Sequence, residues 1–193
     1  MVLPVIAYGH PMLRKVCADI DPDYPELPKL IEDMWETMYY TNGVGIAAPQ
    51  VGKPIRLFVV DTVQIVEGFD EEDKATYPNE TGVKRVFINA HKVEEAGAPW
   101  PYNEGCLSIP KIREDVTRPA QVRLRWVDEN FQPHEETFNG ITARVILHEY
   151  DHIEGKLFID YLAPLKKRLL KKKLDDISAG KVKVDYRMTF PRQ

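Results

Sequence analysis

The residues best equipped for chemistry form one short run, His148-Glu149-Tyr150-Asp151-His152. In a helix of about 3.6 residues per turn, positions i and i+4 lie one above the other, so His148 and His152 point the same way. Two imidazoles so placed can grip one divalent cation. Glu149 falls on the edge of the same face, where it can touch a metal-bound water without ligating the ion. Two histidines on an ordinary surface helix are the competing reading. The chain holds five histidines and two of them fall here, which favours the metal.

Two histidines rarely suffice, because a catalytic site usually has three protein ligands and an open position. The familiar downstream ligand is missing: position 158 is Phe158, and Glu154 lies on a different side of the helix. His10, His91 and His134 have no local partner. The better candidate is Cys106, in Glu104-Gly105-Cys106-Leu107-Ser108, where Gly105 allows an unusual turn and a close approach. Its competing reading is a buried, inert thiol, which is the expectation for Cys17.

The elements that must position these residues can be read around them. Asn139-Gly140 starts the metal helix and Gly155 stops it. Ile141 and Val145 extend the histidine stripe, while Ile146, Leu147 and Tyr150 cover the neighbouring face, so the helix is buried with one polar notch. Residues 25–40 carry Leu27, Leu30, Ile31, Met34, Trp35 and Met38 at helical spacing, with Pro25 and Pro28 tolerable only near the first turn. Strands are expected at Ile55–Asp61, at Arg85–Asn89, and at Val122–Asp128 hairpinned to Glu135–Phe138. Residues 96–103 read as a loop from their Gly and Pro content, and Gln64–Gly82 as an acidic surface insertion. Lys166–Lys173 reads as the solvated end of a basic helix, in preference to a ribosome-facing or RNA-facing patch. Val182–Phe190 alternates like a final edge strand, so residues 166–193 form a basic helix end and a strand-like tail. The expected class is α+β: an N-terminal helix, and antiparallel strands packed around a central metal-binding helix.

The bulk numbers fit one domain spanning residues 1–193. With 44% hydrophobic and 29% charged residues and a net charge of −4, the chain excludes a chain-wide nucleic-acid surface. Two cysteines make no disulfide framework. The N-terminus lacks a basic signal region, and no stretch approaches the roughly 20 apolar residues of a membrane span. A cytoplasmic monomer is expected, without membrane or specific nucleic-acid partners.

Three stretches in order, Gly43-Val-Gly-Ile-Ala-Ala-Pro-Gln50, Glu104-Gly-Cys-Leu-Ser108 and His148-Glu-Tyr-Asp-His152, resemble the signature motifs of peptide deformylases. The likeness continues through Ile109-Pro110 and through Gly155 to Leu165. It implies hydrolysis of the formyl group from the N-terminal formylmethionine of nascent polypeptides, with release of formate. By that resemblance Cys106, His148 and His152 hold the metal and Glu149 is the general acid/base. Gln50 and the N–H of Leu107 stabilise the oxyanion. Gly45 and Gly105 belong to the substrate site; Val44, Ile141 and Val145 line the methionine pocket, with Tyr102 opposite and Arg144 at the rim. Family members use chiefly Fe(II), some Zn(II), and the ligand set also suits Co(II) and Ni(II). The partners implied are formyl-Met nascent peptides and a transient ribosome contact. A metallopeptidase would share the two histidines and the glutamate without needing Cys106 or Gln50; a closed four-ligand metal-binding module fits least.

Overall fold

The structure, a computed structural model, describes residues 1–191. In chain order the elements are β1 (Val5–Ile6), α1 (Leu27–Tyr40), β2 (Gly45–Ala47), β3 (Leu57–Asp61), α2 (Val63–Glu67), α3 (Glu71–Thr76) and β4 (Lys84–Ala96). They continue with β5 (Trp100–Cys106), β6 (Ile109–Arg118), β7 (Gln121–Val127), β8 (Pro133–Asn139), α4 (Gly140–Ile153), α5 (Pro164–Ser178) and β9 (Met188–Thr189).

Five strands form an antiparallel sheet in the order β2-β3-β4-β7-β8, and β5 and β6 form a separate antiparallel ribbon. Alternation along β3 explains why the whole strand is buried. Phe58 and Val60 enter one apolar cluster with Phe87, Trp126, Ile146 and Ile153, while Leu57 and Val59 face another with Met34, Met38 and Ile88. α4 therefore packs on one face of the sheet and α1 on the other. Each large apolar side chain buried there contributes about 1.5–3 kcal/mol. A third cluster joins β6 and α5 through Ile109, Ile112, Leu170, Leu174 and Ile177.

The mixed helix-and-sheet class, the N-terminal helix, the β7–β8 hairpin and the α4 boundaries agree with the sequence reading. Gly155 ends α4 with φ +70°, and a side chain there would meet the carbonyl of Arg14 at 2.6 Å. Glu154, rejected as a ligand, pairs instead with Arg56 at 2.6 Å.

Two expectations need correction. Residues 100–103 of the expected 96–103 loop belong to strand β5, because Pro101 sits in a two-stranded ribbon, where a missing N–H can face a free edge. The tail is not a strand over Val182–Phe190: only Met188–Thr189 is, and it pairs parallel to β1. The insertion at 64–82 is exposed but ordered. Its Glu80 carboxylate accepts hydrogen bonds from the N–H groups of Ile141 (2.9 Å) and Thr142 (3.3 Å) and from the Thr142 hydroxyl (2.5 Å). Asn139 makes no side-chain cap, so the insertion supplies the cap that α4 lacks. Lys166–Lys173 lies within α5, where Lys166 pairs with Glu114 and Lys171 with Asp175, as a solvated helix face would.

Candidate active site

α4 stacks His148 and His152 on one face, with ring centroids 5.1 Å apart. Cys106, the last residue of β5, comes to meet them, its Sγ 3.3 Å from Nε2 of His152. One ligand atom from each of the three lies within 4.8 Å of the others. The other histidines are used elsewhere: His91 pairs with Asp19, His134 with Asp128, and His10 accepts from the N–H of Met12.

The donor set fits a divalent transition metal. His148 donates its Nδ1–H to Glu104 Oε2 at 2.9 Å, which leaves Nε2 as the ring's free lone pair. His152 has its Nδ1 buried without a partner. Burial opposes charge on both rings, yet hydrogen bonds to Cys106 and Glu104 hold His148 well above the usual histidine range. Burial and the neighbouring His148 push His152 well below it. A sulfur beside two imidazole nitrogens is an arrangement that can exchange its protons for a cation.

Glu104, Arg118 and Asp151 have no role in the sequence reading. Glu104 accepts from Arg118 Nε at 2.7 Å and from Arg144 at 3.0 Å, and Arg118 also reaches Asp151 at 2.7 Å; all four are buried. Burial alone would raise the Glu104 pKa, but His148 and Arg118 outweigh it and hold the carboxyl well below the carboxylate range. The signal that could have found it is the strand period. Glu104 and Cys106 are two apart on β5 and so share a face, which a loop reading hides.

Arg144 is not a free rim charge. It is 2% exposed, bonds the carbonyls of Val116 and Trp100, and lies over the Trp100 ring at 4.6 Å. Its charge is answered by Glu104.

A cleft of about 740 Å³ opens over the site. Val44, Gly45, Gln50, Tyr102, Gly105, Cys106 and Leu107 line it from the two upstream segments, and Arg144, Val145, His148 and Glu149 from α4. Ile141 is buried and does not line the cleft, whereas Ile65, from the insertion, does. Gly45 is required by close approach, since a Cβ there would fall 2.7 Å from Cγ and Oε1 of Glu149. Glu149 is buried with Oε2 unpartnered, and burial raises its pKa to about 7. Gln50 accepts from the N–H of Ala47 through Oε1 (2.8 Å), which turns Nε2 toward Ser108 Oγ (3.2 Å) and Cys106 Sγ (3.5 Å).

The family model described as polypeptide deformylase matches residues 2–168. The chain belongs to the polypeptide deformylase family. It is accordingly a metal-dependent hydrolase, and the family's reaction is removal of the N-formyl group from nascent peptides. A peptide deformylase from Christiangramia forsetii is 53% identical over 192 residues, covering 99% of this chain and 97% of its own. One from Flavobacterium johnsoniae is 53% identical over 191 residues, covering 98% of this chain and 96% of its own. Among solved structures, a peptide deformylase from Legionella pneumophila superposes with a TM-score of 0.77 at 32% identity, covering 94% of this chain and 98% of the other. Among the described residues no helix is long and apolar enough to cross a membrane.

Proposed function

We propose that this chain, as one catalytic domain, hydrolyses the formyl group from the N-terminal formylmethionine of newly made polypeptides, with Cys106, His148 and His152 holding the metal. The observation that carries the reading is the convergence of a cysteine from β5 with two histidines from α4, beside a buried carboxylate and an open cleft. A divalent ion held there, with Fe(II) as the native choice, would supply Lewis acidity toward water and the formyl oxygen.

The chain's own groups account for the rest. Glu149 takes a proton from the attacking water and returns it to the departing amine nitrogen; burial raises its pKa toward neutrality, which suits both tasks. The N–H of Leu107 and Nε2 of Gln50 donate to the oxyanion that develops on the formyl group. Gln50 is pre-oriented by the N–H of Ala47, and donating to the oxyanion exchanges one of its Nε2 bonds, to Ser108 Oγ or Cys106 Sγ, for the stronger charged acceptor. Val44, Tyr102 and Val145, with Ile65, provide an apolar wall for the methionine side chain. The partner on this reading is a formylated nascent chain, met in the cytoplasm by a monomer.

The test is formate release from a formyl-Met peptide by anaerobically prepared protein, with metal content measured on the same sample. Turnover with about one ion per chain is expected. No turnover with any of iron, nickel, cobalt or zinc overturns the proposal.

A further inference from the structure

The C-terminal tail reaches the cleft although no signature motif lies in it. Lys183, Val184, Asp185 and Tyr186 all line the cleft, between the end of α5 and the two-residue strand β9. β9 anchors this stretch to β1: Val5 donates to the Arg187 carbonyl at 2.9 Å and Ala7 to the Thr189 carbonyl at 2.8 Å. From that anchor the Tyr186 hydroxyl donates to the Leu107 carbonyl at 2.8 Å.

We propose that Tyr186 is a positioning residue that holds the Cys106-Leu107-Ser108 turn in its working conformation. The proposal rests on the reading above, in which the N–H of Leu107 is an oxyanion donor. That N–H belongs to the peptide plane between Cys106 and Leu107, and the carbonyl that Tyr186 holds belongs to the next plane. The turn is fixed on both sides of the Leu107 Cα. Upstream, β5 fixes Cys106 by pairing it with Ile109. Downstream, Tyr186 holds the Leu107 carbonyl, the N–H of Tyr8 holds the Ser108 carbonyl at 2.8 Å, and Gln50 holds Ser108 Oγ at 3.2 Å. With the Tyr186 bond gone, the Leu107–Ser108 plane can rotate, and the donor plane loses the neighbour that fixes its tilt. A donor matters most where charge develops, so the loss falls on turnover and not on substrate binding.

The experiment compares wild type with Tyr186→Phe, which removes one oxygen and keeps the ring. Formate release, metal content, melting temperature and hydrogen exchange of the Leu107 amide are measured on the same metal-loaded preparations. Expected is a kcat about threefold to tenfold lower at unchanged KM and metal content, with faster exchange at Leu107. Unchanged kcat overturns the proposal. So does a lower melting temperature with kcat per bound metal intact, which would make the bond merely structural. Should the wild type release no formate, the deformylase reading fails by itself. The Leu107 exchange rate then decides whether Tyr186 holds the turn, and equal rates in both proteins overturn it.

Discussion

Glu104 and Glu149 are two buried carboxylates at the cleft, one from the β5–β6 ribbon and one from α4. Glu104 is saturated, accepting from His148, Arg118 and Arg144, and its proton is held off far below the usual range. Glu149 has an oxygen with no partner and a pKa raised by burial to about 7. The ribbon carboxylate has its hydrogen bonding complete, whereas the α4 carboxylate keeps an open oxygen, which on the proposed reading substrate and water would complete.

That contrast can be broken one side at a time. Glu149→Gln should reduce kcat by about a hundredfold to ten-thousandfold while the protein melts no lower than the parent, because the group removed had no bond to lose. A steady-state assay beside a thermal melt checks this; a variant that keeps its rate and unfolds early would reverse the roles. Glu104→Gln should do the opposite first. It leaves Arg144 buried without its counter-charge and Arg118 with Asp151 alone, and should cost about 3–5 kcal/mol of stability. Denaturant unfolding measures that loss, and metal content should fall with it as His148 loses its orienting carboxylate. Glu80→Ala, which removes only the cap that the insertion lends to α4, should cost about 1 kcal/mol. The same unfolding experiment reads it, with kcat changed far less than by Glu149→Gln.

The two sides also differ in how much of them can be read from the chain. The α4 side is local: two histidines one turn apart, an Asn-Gly start and a Gly stop lie within one short run, so helix, boundaries and ligands emerge together. The ribbon side is non-local. Pro101 makes the start of β5 look like a loop, and once β5 is missed nothing marks Glu104 as facing Cys106. Arg118 carries no signal in the chain, and Arg144 reads as a pocket-rim charge until the fold buries both around that carboxylate. Ile141 illustrates the limit of helical period. It lies on the histidine stripe but two turns below His148, under the Glu80 cap and away from the cleft, where Ile65 lines the wall instead. Tyr186 stands in an alternating tail that reads as a strand, yet an extended segment laid against a cleft gives the same alternation.

The account's central claim is that ribbon and helix meet at one ion, through Cys106 from β5 and the two histidines of α4. X-ray absorption at the iron edge of the anaerobically loaded protein tests it most directly. A shell with one sulfur and two imidazole nitrogens is predicted, with the sulfur lost in Cys106→Ser. A shell without sulfur in the wild-type protein would contradict it.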